Sequence, residues 1–161
     1  MDLTRSAALL EQAKKLIPSA AQTYSKSYRC YCEGAAPVFL EKGDGARVTD
    51  IDGNEYIDFV LGLGPVTIGY NDSRVNRVIQ DQLAKGISFT QPHPIEVRMA
   101  EVITRIIPCA EMVKFVKNGS DATTAAVRLA RAHTGKNLIF CCGYHGFHDW
   151  YVGITSNNRG V

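Results

Sequence analysis

The first apolar positions of the chain repeat with the period of an α-helix. They follow i, i+1, i+4, i+7, i+8 spacing, which places apolar side chains on one helix face. These positions are Leu9, Leu10, Ala13, Leu16 and Ile17. Pro18 follows directly, and a proline does not continue a helix interior. The pattern therefore predicts a helix with one buried face that ends before Pro18.

Residues 37–60 show a different pattern, in which short runs of β-forming residues alternate with Asp-Gly turns. The turn signals are Gly43-Asp44-Gly45 and Asp52-Gly53-Asn54. Short β runs on either side of such turns are typical of hairpins, because glycine adopts the backbone angles that tight turns require. We predict an antiparallel meander here.

Helical periodicity returns in two further segments. Apolar residues between 75 and 83 predict one helix, with Asp72 or Ser73 as its N-cap. Those between 95 and 107 predict another, which Pro108 ends and which His93 opens from a loop.

The last third of the chain predicts a strand, a helix and a second strand. Residues 112–116 and 138–142 are short apolar runs, and a helical stripe of small residues lies between them at 122–133. Gly135 fits the position just after a helix. This order is a βαβ unit, the building block of a parallel α/β sheet. Because the chain stops where such a sheet would begin, we expect it to be the N-terminal piece of a longer protein.

Composition narrows the class of protein. The 161 residues are 45% hydrophobic and 21% charged, as in ordinary globular proteins, and the net charge of +2 favours neither nucleic acid nor a membrane surface as partner. No apolar run approaches the roughly 18 residues of a membrane span, and no targeting signal is visible. The five cysteines have C-x-C and C-C spacings that fit no disulfide framework or zinc site. We therefore expect free thiols and a cytoplasmic location.

The turn Asn118-Gly119-Ser120 is the first candidate for chemistry. A helix N-terminus presents unpaired N–H groups and a positive dipole end, which attract phosphate. Gly119 allows close backbone approach, and Ser120 adds a hydroxyl donor and is expected to cap the helix. Asp121 would repel a phosphate unless its side chain points away. The turn matches neither a dinucleotide fingerprint nor a P-loop, and a simple capped helix remains the alternative.

The second candidate follows the second predicted strand. Ligands of open α/β sheets lie beyond the carboxyl ends of strands, so both candidate motifs are expected to face one pocket. Tyr144 offers a ring for stacking, and His145 a hydrogen bond to a flat ligand. His145 and His148 do not make a convincing metal site, because a third ligand is missing. An aromatic loop packed on the core is the competing interpretation.

Taken together, these motifs resemble the N-terminal part of the class III aminotransferases, which are pyridoxal-phosphate enzymes of fold type I. Within that family the resemblance is nearest to the glutamate-1-semialdehyde 2,1-aminomutase-like proteins. The resemblance rests on Leu16-Ile17-Pro18, residues 50–58, Gly64-Pro65, residues 115–122, residues 128–131 and residues 143–146.

The resemblance implies a cofactor, pyridoxal 5'-phosphate (PLP), and roles for four residues. Gly119 and Ser120 would hold the cofactor phosphate, while Tyr144 and His145 would lie against its ring. The reaction would transfer an amino group between amino and keto small molecules.

The resemblance also implies a domain organisation and an assembly. Residues 1–60 would be an N-terminal small-domain segment of helix and meander. Residues 61–161 would begin the large PLP-binding domain and stop before its end. Relatives of this kind are homodimers with the site at the subunit interface, and no nucleic acid or membrane partner is implied.

The chain also departs from the aminomutase pattern. Thr23 and Lys26 are candidate substrate-binding residues, but aminomutases carry an arginine where this chain has Lys26, and a tryptophan where it has Leu63. A lysine binds a carboxylate as a point charge, without the bidentate arginine fork. An aminotransferase acting on another amino donor is therefore an alternative to an aminomutase.

No catalytic residue is assigned within the chain. The family's Schiff-base lysine, and the carboxylate that pairs with the pyridine nitrogen, would lie beyond residue 161. A catalytically inactive remnant, or a dimerisation or phosphate-binding module, therefore remains a second alternative, and a different phosphate-ligand binding protein a third.

Overall fold

The computed structural model describes residues 1–155 as two compact units. One unit is Met1–Ser88, and the other begins at Phe89.

Helix α1, Thr4–Leu16, anchors the core of the first unit. Its buried positions are Ser6, Leu10 and Ala13. Leu10 and Ala13 form a cluster with Ala20, against which Tyr28, Val38 and Phe39 pack. Burying one leucine side chain contributes about 2 kcal/mol, so this small cluster holds the helix in place. The predicted helix is confirmed, and it ends before Pro18.

The predicted meander is also confirmed. Its strands are β1 (Leu40–Asp44), β2 (Arg47–Asp50) and β3 (Glu55–Ile57), in the order β1-β2-β3 with both pairs antiparallel. Gly45 and Gly53 have φ angles of +53° and +91° in the connecting turns. These left-handed angles suit glycine and explain the two Asp-Gly signals.

The buried carboxylate of Asp50 organises the second turn. It accepts hydrogen bonds from the Asn54 backbone (2.8 Å), the Asn54 side chain (2.8 Å) and the Tyr56 hydroxyl (2.8 Å). Burial raises the pKa of Asp50, but the hydrogen bonds from Asn54 and Tyr56 outweigh it, and the net pKa lies below its ordinary value. Burial and the neighbouring Asp50 carboxylate raise the pKa of Tyr56 to about 12. The carboxylate is therefore held ionised as the hub of the turn.

Two further helices form where the periodicity predicts them. Helix α2 is Ser73–Leu83, and Asp72 caps it by accepting hydrogen bonds from Arg74 N (2.9 Å) and Val75 N (3.4 Å). Asp72, rather than Ser73, is thus the N-cap. The Arg74 side chain holds the pKa of Asp72 down at about 2.

Helix α3, Pro94–Ile106, lies in the second unit and begins after His93. The His93 Nδ1 atom accepts the Ile95 N–H at 3.1 Å, and the Glu96 carboxylate accepts the His93 N–H at 2.9 Å. The role predicted for His93, opening the helix from a loop, is confirmed as that of an N-cap.

Helix α4, Gly119–Thr134, ends at Gly135 with φ +69°, as predicted, and a short helix α5 follows at Asp149–Val152. The structure corrects the prediction of a strand on either side of α4. Within residues 1–155, neither residues 112–116 nor 138–142 form a strand. A strand requires hydrogen bonds to a neighbouring strand, and no described segment pairs with either one. Most of their apolar side chains are exposed, with Met112 at 91% and Phe140 at 93%.

None of the helices in residues 1–155 combines the length and the apolar content that a bilayer crossing requires.

Candidate functional site

The turn before α4 is closed by a reciprocal cap. The Asn118 Oδ1 atom accepts the Asp121 N–H at 3.0 Å, and the Asp121 carboxylate accepts the Asn118 N–H at 3.3 Å. Such a capping box satisfies two donors of the first helical turn. The expectation that Ser120 caps the helix is therefore wrong, because Asn118 precedes it with an amide oxygen better placed for the role.

The cap does not use the first two backbone donors of α4. Among the described residues, neither the Gly119 N–H nor the Ser120 N–H donates a hydrogen bond. A Cβ atom built on Gly119 would meet no atom within 4 Å, so open space lies next to these donors. Together with the dipole of a 16-residue helix, two free N–H groups suit an anion.

Ser120 lies at the contact between α4 and the loop before α5. Its side chain is only 8% exposed, and its Oγ atom accepts the Phe147 N–H at 3.2 Å. A Cβ atom built on Gly146 would lie 2.5 Å from the same Oγ atom, so only glycine permits this approach. Because the Oγ atom acts as acceptor towards Phe147, its own proton remains available for a ligand.

Two threonines of α4 extend this contact. Thr123 donates its hydroxyl proton to the His145 carbonyl oxygen (2.8 Å), and Thr124 accepts the Trp150 indole N–H (2.9 Å). The two motifs expected to face one pocket therefore lie side by side. The sequence analysis missed both threonines, although positions three and four after Ser120 lie on the same helix face.

The aromatic residues of the loop differ in exposure. Tyr144 is 79% exposed and meets Tyr151 edge-to-face, with ring centroids 6.0 Å apart. The half-buried His145 ring stacks on Trp150 at 6.3 Å, with 27° between the planes. Tyr144 thus presents an accessible ring face, while the His145 ring is packed against Trp150.

Within residues 1–155, no three histidine, cysteine or acidic side chains are grouped as metal ligands. His148 contacts Thr124 and Asp121 instead, with the Asp121 carboxylate 3.6 Å from its Nε2 atom.

The candidate substrate residues lie in the first unit. Lys26 lines an apolar, aromatic groove of about 610 Å³, and Leu63 lines the same groove. Thr23 is exposed, with its hydroxyl 3.4 Å from that of Ser25, and is not part of the groove wall. The two positions at which the chain departs from the aminomutase pattern therefore share one surface.

Comparison with known proteins identifies the family of the chain. Residues 31–161 match the family described as Aminotransferase class-III. The chain is 41% identical to a 3-aminobutyryl-CoA aminotransferase from Cloacimonas acidaminovorans, over 96% of this chain and 37% of that protein. It is 45% identical to a glutamate-1-semialdehyde 2,1-aminomutase from an Exiguobacterium species, over 91% of this chain and 34% of that protein. The chain thus spans about a third of the length of these relatives.

Solved structures give the same result. The FumI protein of Sphingopyxis sp. MTA144, in its PLP internal aldimine form, superposes with a TM-score of 0.85 and 37% identity, over 91% of this chain and 36% of that one. An omega-transaminase from Sphaerobacter thermophilus gives a TM-score of 0.83 at 30% identity, over 94% and 35%. Both the fold-type I architecture and the use of PLP by the family are thereby confirmed. The chain belongs to the class III aminotransferases.

Proposed function

We propose that the protein carrying this sequence transfers amino groups between amino and keto small molecules with PLP as its cofactor. The observation that carries the proposal is the pair of N–H groups at Gly119 and Ser120, which meet no acceptor and lie beside open space within residues 1–155. Family membership supports it, and so do relatives named as aminotransferases and aminomutases.

The donors present fit the phosphate of PLP. The Gly119 and Ser120 N–H groups and the Ser120 hydroxyl would supply three hydrogen bonds to its oxygens, and the helix dipole would add a favourable charge interaction. Asp121 does not oppose this binding, because its carboxylate is turned back to the Asn118 N–H.

Tyr144 and His145 would bind and orient the cofactor ring. The exposed Tyr144 face would stack on it, and the Thr123 hydroxyl, by holding the His145 carbonyl, would fix the loop that carries both rings. Bound PLP supplies an electron sink for amino-group chemistry, while the protein supplies binding, orientation and exclusion of water.

Lys26 would bind a substrate carboxylate in the groove that it shares with Leu63. Thr23 would assist from the neighbouring loop. Because the groove wall is largely apolar and aromatic, it suits a substrate with an apolar part next to its carboxylate. This favours an aminotransferase over an aminomutase as the activity of the whole protein.

The proposal includes the organisation of the whole protein. Residues 1–60 would form a small-domain segment, and residues 61–161 would begin the PLP-binding domain of a cytoplasmic homodimer. The five free cysteines agree with a reducing compartment.

The test is equilibrium binding of PLP, compared with pyridoxal, which lacks the phosphate. We expect the wild-type chain to prefer PLP, and Ser120→Ala to weaken PLP binding about tenfold and pyridoxal binding less, since only PLP also loses a charge-assisted hydrogen bond to its phosphate. Thr134→Ala, at the far end of α4, is the matched control and leaves both affinities unchanged. Equal wild-type affinity for PLP and pyridoxal would contradict the proposal.

A further inference from the structure

His148 makes two polar contacts with α4 that the proposed function does not use. Its Nδ1 atom lies 2.7 Å from the Thr124 hydroxyl oxygen, and its Nε2 atom lies 3.6 Å from the Asp121 carboxylate. The side chain is about 31% exposed, so these contacts are only partly open to water.

The neighbouring indole contacts the same threonine hydroxyl as His148 does. The Trp150 Nε1 atom lies 2.9 Å from the Thr124 hydroxyl oxygen, and an indole N–H can only donate. The Thr124 oxygen therefore accepts from Trp150, and its own proton is free to be donated to the His148 Nδ1 atom. In either direction of this hydrogen bond, the Nε2 atom remains on the side facing Asp121.

We call the row of contacts from Asp121 through His148 and Thr124 to Trp150 the relay. Its two ends reach the two halves of the candidate cofactor site. Asp121 forms the capping box with Asn118, which shapes the turn before Gly119. The Trp150 indole stacks on the His145 ring at 6.3 Å. His148 thus connects the phosphate turn to the loop that carries the ring-binding residues.

We propose that His148 is a positioning residue of the PLP site. Through Thr124 and Trp150 on one side and Asp121 on the other, it fixes the distance between the Gly119–Ser120 turn and the His145 loop. It acts through these neighbours and does not touch the cofactor. The inference rests on the proposed function.

Two variants separate the relay from simple packing. His148→Asn places an amide group where the Nδ1 atom lies, and because an amide both donates and accepts, it keeps the Thr124 hydrogen bond in a smaller side chain. His148→Phe keeps a ring of similar shape but removes both nitrogen atoms. If His148 only fills space, His148→Phe should keep more of the PLP affinity than His148→Asn. If His148 acts through its hydrogen bonds, His148→Asn should keep more.

The chain carries its own reporter for this test, because Trp150 is the only tryptophan among its 161 residues. PLP affinity is measured on the full chain from the quenching of Trp150 fluorescence. We expect His148→Phe to raise the dissociation constant about tenfold and His148→Asn, which loses only the Asp121 contact, to raise it by no more than about threefold. His133→Asn, an exposed histidine near the other end of α4, is the matched control and binds as wild type does.

Two results would overturn the inference alone: His148→Phe binding as tightly as wild type, or His148→Asn losing as much affinity as His148→Phe. A wild-type chain that binds PLP and pyridoxal equally would instead overturn the proposed function, and this inference with it.

A second measurement needs no cofactor. The single indole N–H resonance in a ¹H–¹⁵N spectrum reports the Trp150 hydrogen bond to Thr124 directly. We expect His148→Phe to displace this resonance and His148→Asn to leave it near its wild-type position. An unchanged resonance in His148→Phe would show that His148 does not hold the relay.

Discussion

The carboxylate of Asp52 caps helix α1 at Ser6, although 46 residues separate the two. Its Oδ2 atom accepts the Ser6 backbone N–H at 2.9 Å and also the Ser6 hydroxyl. The Oδ1 atom accepts the Arg5 N–H at 2.6 Å. The residue before the helix, Leu3, has no side chain that can do this. Within residues 1–155, the nearby Asp2 accepts only from Thr4, so the turn of the meander supplies the acceptors for the next two amides of the helix.

Asp52→Ala is expected to lower the free energy of unfolding of the first unit by about 1 kcal/mol, as for other lost N-caps. Amide hydrogen exchange locates the effect, because the Arg5 and Ser6 amides lose their acceptor and exchange faster. Asp81→Ala, an exposed aspartate of α2, is the control and should change neither quantity. Unchanged exchange at Ser6 would show that the cap contributes nothing in solution.

Gly43 in β1 tests the packing of the sheet against Tyr70. A Cβ atom built on Gly43 would lie 2.5 Å from the Tyr70 ring. We expect Gly43→Ala to destabilise the first unit by about 1–3 kcal/mol. The Tyr70 ring lies against Gly43, and its hydroxyl is bonded to Asp58, so the ring cannot move away freely. Thermal unfolding followed by circular dichroism measures this, with Lys42→Ala as the exposed neighbouring control. Equal melting temperatures for the two variants would mean that Tyr70 moves aside at no cost.

Asp58 holds the other side of Tyr70. The Tyr70 hydroxyl donates a hydrogen bond of 2.7 Å to the Asp58 carboxylate. This bond lowers the pKa of Asp58 below its ordinary value of 3.8. It also raises the pKa of Tyr70 from 10.0 to about 12, with burial adding to the effect. The pair is thus most stable with Asp58 ionised and Tyr70 neutral.

The free energy of unfolding should depend on this pair at both ends of the pH range. It should rise with pH at the acidic end and fall with pH at the alkaline end. The Asp58 contribution is complete above pH 3.8 and is lost as the pH falls below it. The Tyr70 contribution is complete below pH 10.0 and is lost as the pH rises towards 12. We expect Tyr70→Phe to cost about 1 kcal/mol near neutral pH and less at both extremes. Urea unfolding across the pH range measures it, and a constant difference would contradict the assignment.

The local elements were predictable from the sequence, because their determinants are close neighbours. The helix before Pro18, the Asp-Gly meander and the end of α4 at Gly135 follow from periodicity and turn chemistry. The Asp52–Ser6 cap was not predictable, since it joins residues far apart in sequence. The prediction of two strands beside α4 was wrong for a related reason. A strand forms only when it pairs with a neighbouring strand, and an apolar run in the sequence does not show which segment that neighbour would be.

The candidate site, too, was only partly predictable from the sequence. The turn at Gly119 and the loop at His145 are visible as motifs, and the structure brings them together. The relay through Thr124, His148 and Trp150 is not visible, because each residue type is common and only the fold makes them neighbours.

Lys26 provides a test of the groove that we propose to bind the substrate. If its ammonium binds a substrate carboxylate, Lys26→Met should raise KM for an amino-acid donor about tenfold and change kcat little, because a uniform binding interaction is lost. Lys26→Arg should retain most of the affinity. Lys42→Met, which lies outside this groove, is the control. A fall in kcat with unchanged KM would place Lys26 outside the substrate contacts.

Gly146 and Gly143 form a matched pair for testing the contact at Ser120. Both have positive φ angles, +111° and +81°, so alanine strains the backbone at either position. Only at Gly146 would the new Cβ atom collide with Ser120, whereas at Gly143 it meets nothing within 4 Å. The difference between the two variants therefore isolates the steric contact from the backbone strain.

We expect Gly146→Ala to push the loop away from α4, so that the Phe147 N–H loses the Ser120 oxygen and the proposed PLP contacts separate. PLP affinity should fall at least about tenfold, because both binding motifs lose their alignment, while Gly143→Ala loses much less. Titration of each variant with PLP, together with its melting temperature, separates loss of the site from loss of the fold. Equal PLP affinities in the two variants would show that the Ser120–loop contact does not shape the site.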